Sequence, residues 1–151
     1  MKLPATLALT LAFAFASLAA APAEARDKRV HFDIASAIAQ GKSQGVLDGS
    51  VRFYFEGQAT PRVLEDLGAA STNRKTNAVG KSEEESCDWA MLGALVALEN
   101  AAKARGANAV VGLRSNFKSV VYSSATQYEC GAGRLMVGVA LLGTYAKVAD
   151  R

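Results

Sequence analysis

The hydrophobic and polar positions of this chain change period several times. Val51, Phe53 and Phe55 alternate with Arg52, Tyr54 and Glu56, the period-2 pattern of a half-buried strand. "RVLEDLGAAS", residues 62–71, is a weaker strand candidate, and "TNRKTNAVGK", residues 72–81, has no period and reads as an exposed loop. The period then becomes helical. Met91, Leu95, Leu98 and Ala102 form one apolar stripe, with Trp89, Leu92 and Val96 beside it. That face is wide for a helix packed on one layer, so a sheet and a further segment must both cover it, or another subunit must. "GANAVVGLRSNF" leaves the helix as a strand, and "KSVVYSSATQYEC" continues in β-rich residues with a turn expected near Ser123 and Ser124. From Leu135 to Leu142 the chain is apolar on both faces, the mark of a central or doubly covered strand. Residues 26–49 are uneven and read as an N-terminal arm. Within it Asp33 caps a short helix through Ile34, Ala37 and Ile38, with Gly41 just past its end. Residues 50–151 then form a single α+β domain. Its expected order is β-β-α-β-β, a small antiparallel sheet with one long helix packed on it.

The ends of the long helix are marked. Ser82 and Glu85 have the S-x-x-E spacing of a capping box. Glu83, Glu84, Glu85 and Asp88 place negative charge at the positive end of the helix dipole, Lys103 and Arg105 sit at the other end, and Gly106 is the stop. The cap also bears on "GKS", which occurs at Gly41-Lys42-Ser43 and again at Gly80-Lys81-Ser82. A phosphate-binding loop has another glycine five residues before the second one, because only glycine lets the backbone approach the phosphates. Those positions hold Ser36 and Lys75, so neither copy completes the motif. No nucleotide site is expected, and Ser82 reads as a helix cap.

Composition adds a compartment. The chain opens with Lys2, an uncharged apolar run from Leu3 to Ala21, and the small-x-small triplet Ala23-Glu24-Ala25. This is the pattern of a signal peptide in residues 1–25, cleaved near Ala25, which predicts a periplasmic or secreted protein. The alternative is an uncleaved anchor, since the run is nearly long enough to span a bilayer. The net charge of +3 is scattered apart from "RDKR" at residues 26–29. That run reads as a solvated tail, with an anionic membrane surface as its alternative contact. One tryptophan and no basic–aromatic stripe argue against nucleic acid. The two cysteines, Cys87 and Cys130, read as one disulfide in an exported protein. The geometry agrees. The helix descends about 27 Å from Cys87, and the strand to Phe117 climbs back about 30 Å. A hairpin at Ser123-Ser124 then sets Cys130 opposite Phe117. A free Cys87 at a helix N-terminus would instead suit redox chemistry. With His31 as the only histidine, no metal site is expected.

"AAKARGANAVVGLRSNF" followed by "RLMVGVALLGTYAKV" resembles the YbjQ-like family of small α/β proteins and the similar RcsF-like core, over about residues 60–147. The matching motif is Gly106, Ala107, Asn108, Ala109, Val110, Val111 and Gly112. The resemblance implies that Gly106 ends the helix, Asn108 turns, and Val110 and Val111 enter the sheet. It implies a fold rather than a chemistry, and an envelope, stress-related setting. This chain differs in having a signal-like N-terminus, no cysteine before Cys87 to carry lipid, and one cysteine pair. Secreted proteins of this look carry an excinuclease-ATPase description, which the incomplete phosphate loops do not support.

Candidate chemistry is sparse. His31, Asp33 and Ser36 lie close in sequence but in the uneven arm, and no G-x-S-x-G is present. Glu65-Asp66 reads as surface. The expected function is therefore that of an exported, non-enzymatic envelope protein without a cofactor. It would bind another envelope protein or itself through a sheet edge or the wide helix face. The alternative is a small-ligand binder or hydrolase whose site forms at a subunit interface.

Overall fold

A computed structural model describes residues 28–150, so the expected signal segment lies outside the described residues. The elements are β1 (Lys28–Asp33), α1 (Ile34–Ser43), β2 (Arg52–Phe55), β3 (Val63–Asn77), α2 (Glu83–Ala104), β4 (Ala109–Ser115), β5 (Gln127–Ala132) and β6 (Met136–Val148). The fold is α+β, with one six-stranded sheet. The order differs from β-β-α-β-β by an added N-terminal β1–α1 unit and one added strand after α2.

The apolar run after Leu135 becomes β6, the central strand. It pairs antiparallel with β3 along its whole length on one edge. On its other edge it pairs with β5 at Val137 and Gly138, and with β4 from Leu141 to Ala146. β1 extends the sheet beyond β5, and β2 extends it beyond β4. The sheet is not wholly antiparallel, because β2 runs parallel to β4. A parallel neighbour needs a long crossover, and β3 and α2 supply it. Residues 72–77, expected as loop, continue β3 to Asn77 because β6 pairs with them residue by residue. Backbone pairing overrides their lack of period.

α2 covers one face of the sheet. Its Met91, Leu92, Leu95 and Leu98 pack with Val110, Leu113, Tyr128, Val139 and Leu141 in the main core. The width of its apolar face is explained by α1, which packs against its side. Gly41 is buried inside α1 rather than beyond it, because a Cβ there would lie 2.5 Å from Leu92 and 2.9 Å from Leu47. The first "GKS" is thus the last turn of a helix. Asp33 caps α1 as expected, accepting the Ser36 N–H. On the opposite face of the sheet Tyr54, Ala109, Ala146 and Val148 form a second, small cluster.

Cys87 in the first turns of α2 and Cys130 in β5 form a disulfide, with Cα atoms 6.0 Å apart. The expected hairpin partner is corrected. Cys130 sits opposite Val30 of β1, not opposite Phe117. After β4 the chain bridges Ser115 to Tyr122 and makes a tight 3-10 turn at Phe117–Ser119. That turn prevents β4 from continuing into a hairpin with β5. Among the described residues no helix is long and apolar enough to cross a membrane.

One buried carboxylate is held at a cost. Glu99 of α2 is 3% exposed, and its Oε1 has no hydrogen-bond partner. Burial first, then the neighbouring Asp48 carboxylate, push its pKa above the ordinary value, with Lys103 opposing. A raised carboxyl pKa means the folded state holds the proton more tightly than the unfolded chain. The penalty is therefore absent in acid and grows as pH rises from about 4.5 through the folded value. Glu99→Gln should be more stable than the wild type at pH 8, and the advantage should vanish near pH 4. Urea titrations of both proteins across that range read the difference. An advantage independent of pH would mean that Glu99 acts by packing and not by charge.

Candidate functional site

The long strand β3 has two different edges. Its inner edge is taken by β6, while among the described residues no strand pairs with its outer edge. The fifteen-residue edge presents main-chain N–H and C=O groups in alternation, although the Gly68 N–H is held by Asp66 Oδ1 and the Asn73 carbonyl by Arg74. The strand has a helix-side face and an outer face. On the helix side Ala70 and Thr72 are buried, and the stem of Arg74 lies 3.7 Å from where a Cβ on Gly93 of α2 would be. Lys75 alternates to the outer face, over Gly138. The strand is bulged near Leu64 and again between Asp66 and Ala69, where Gly68 adopts φ +104°. Glu65 pairs with Lys147 at 3.2 Å in the open. Beside this edge Trp89 of α2 is 41% exposed. It lies one helical turn from Gly93, on the same flank.

The sequence-predicted cap and motif residues lie at the two ends of α2 and in β4. Ser82 Oγ accepts the Glu85 N–H at 3.1 Å, which stabilises α2 by about 1 kcal/mol relative to an uncapped end. The reciprocal half of the box is missing, since among the described residues the Glu85 carboxylate makes no bond to Ser82. Lys81 of the second "GKS" reaches back to the Asn77 carbonyl. Gly106 takes φ +70°, and the Ala107 N–H closes on the Ala102 carbonyl, so α2 ends in a Schellman-type turn. Asn108 does more than turn. Its side-chain amide donates to the Val148 carbonyl and accepts the Val148 N–H, fastening the end of β6 beside the start of β4. Ala109 and Val110 enter β4, with Val110 in the main core, Val111 against the second cluster and Gly112 at a bulge with φ +61°.

A polar cluster that sequence reasoning missed lies on the outer face, across β1, β5 and β4. Val30 and Phe32 point to the core, so Arg29 and His31 point away from it. They converge on Glu129, whose side chain is 5% exposed. Arg29 donates to Oε1 at 2.6 Å, and His31 Nε2 lies 3.3 Å from Oε2. Ser115 Oγ accepts the Glu129 N–H, and the His31 ring stacks 4.3 Å from Tyr122. The buried carboxylate is thus met by the Arg29 guanidinium and the His31 imidazole. A carboxylate that orients an imidazole is half of a hydrolytic triad, but among the described residues no hydroxyl or thiol bonds to His31. The expected His31–Asp33–Ser36 grouping is not formed, because Asp33 and Ser36 are engaged in capping α1. The signal for Glu129 was the alternation of "QYECGA" against "KRVHFD", visible only once those two strands are paired.

Electrostatics elsewhere are local. The Lys103 ammonium holds the Asp48 carboxyl below the usual range. Burial and the hydrogen bond to Asp88 push the Tyr128 hydroxyl well above its ordinary value. Compared with known proteins, the chain matches no family model and no curated protein by sequence.

Proposed function

We propose that this protein is an exported, non-enzymatic domain of the cell envelope that works by pairing another protein chain with the outer edge of β3. The observation that carries the reading is that edge, fifteen residues long and unpaired among the described residues. Sheet edges bind by adding a strand, with main-chain hydrogen bonds giving affinity and alternate side chains giving specificity. The other two outer strands suit this less well. β2 has four residues. β1 has six, Lys28 to Asp33, and its Arg29 is already engaged by Glu129 of the neighbouring β5. The disulfide is compatible with an oxidising compartment. The signal-like N-terminus and the YbjQ-like turn and strand at residues 106–112 support an exported domain whose shared features are structural.

A photo-crosslinking residue tests this in the native envelope. Placed at Ser71 or Asn73, both exposed on β3, it should yield a crosslinked protein adduct. Placed at Ala39, exposed on α1, it should yield none. Absence of an adduct at β3, or equal adducts at all three positions, would overturn the reading.

A further inference from the structure

We infer that the chain paired with β3 is β3 of a second copy, running antiparallel about a two-fold axis at Ala70. This names the occupant of the edge and rests on the interaction reading above. A two-fold contact is self-complementary, so whatever stands at one end of the strand must suit what stands at the other. In β3 the charges are segregated. Glu65 and Asp66 lie before the middle, and Arg74 and Lys75 lie after it. Glu65 and Lys75 are equidistant from Ala70 in sequence, as are Asp66 and Arg74.

The bulge refines the match. Against β6 the register of β3 slips by one residue between Asp66 and Ala69. The same extra residue on the outer edge brings Glu65 of one copy opposite Arg74 of the other. Those two side chains share a face. Arg74 lies against α2, and Glu65 pairs with Lys147, which follows the core residue Tyr145 by two and so points the same way. On the outer face Asp66 then stands diagonal to Lys75, within reach of a long side chain. A parallel pairing would set each acid against an acid and each base against a base. The antiparallel arrangement alone satisfies both ends. Charges that merely protect an edge need no such order. The two-fold pair also places both α2 helices on one side of a continuous sheet, with Trp89 of each copy on the flank that faces the seam.

Light scattering after size exclusion tests this on the full exported protein. The wild type should show twice the chain mass, reverting towards one chain mass on dilution. Glu65→Lys with Asp66→Lys makes the strand wholly basic, and Arg74→Glu with Lys75→Glu makes it wholly acidic. Each variant alone should run as a monomer, and an equimolar mixture should regain the doubled mass. Thermal melts of each variant confirm that it is folded before mixing. A doubled mass that persists in both variants, or a mixture that stays monomeric, overturns the inference. A wild-type monomer also overturns it. If such a monomer still crosslinks at Ser71 to a different envelope protein, the edge reading survives without self-pairing. If it does not, both fail.

Discussion

Cys87→Ser should lower the unfolding free energy by about 4 kcal/mol, Cys130→Ser by a similar amount, and the double variant by no more than either. The bridge closes a sequence separation of 43 residues, which sets that magnitude in the chain-entropy model. It is a large share of the stability of a small domain. The loop it closes holds most of α2, all of β4 and the tight turn after it. Both cysteines are completely buried in the main core. A serine at either site therefore adds a small desolvation cost, which the double variant Cys87→Ala with Cys130→Ala separates from the loss of the link. Denaturant unfolding of the four variants reads the free energies, and thiol titration of the unfolded wild type should find no free cysteine. Additive losses in the double variant, or two titratable thiols, would mean that each cysteine acts alone.

The elements legible in the sequence are those whose side chains face one way for a local reason. α2 could be placed to within a residue because Ser82, Gly106 and the stripe from Met91 to Ala102 agree with one another. β2 was legible from strict alternation, and the central position of β6 from its two apolar faces. What was hidden depended on partners distant in sequence. The polar half of β3 reads as loop because neither of its faces is deeply buried, and only β6 makes it a strand. β1 is six residues with a charged outer face, and it becomes a strand because β5 offers it an edge. The Arg29–Glu129–His31 cluster joins residues about a hundred positions apart. The charge symmetry of β3 was present in "LEDLGAASTNRK" from the start. It carried no meaning while that stretch was divided between a weak strand and a loop.

Gly131→Ala should destabilise the domain by about 1–3 kcal/mol, and Phe117→Leu should relieve much of that loss. The glycine is needed for space rather than for backbone conformation. A Cβ at Gly131 would lie 1.9 Å from the Phe117 ring, with two further ring carbons within 2.4 Å. No ordinary adjustment of a side chain absorbs such an overlap, because the ring is itself held in place. Lys118 and Ser119 adopt φ 51° and 60°, left-handed values that bend the chain sharply and lay Phe117 back onto β5. The Arg29 guanidinium and the Lys118 ammonium each stand 5.6 Å from the centre of the ring. An added methyl must therefore expel Phe117, and the ring's departure would also disturb Arg29 where it meets the buried Glu129 carboxylate. Leucine at 117 is shorter than the ring and leaves room for the methyl, while still covering the sheet. Taken alone, Phe117→Leu should cost stability through lost contact, so the double variant should lose well under the sum of the two single losses. A cycle of four proteins measured by urea unfolding gives the coupling, which for groups in direct contact falls at about 0.5–3 kcal/mol. If the losses add, the ring can move aside at no cost to the sheet, and the left-handed residues at 118 and 119 do not fix it there.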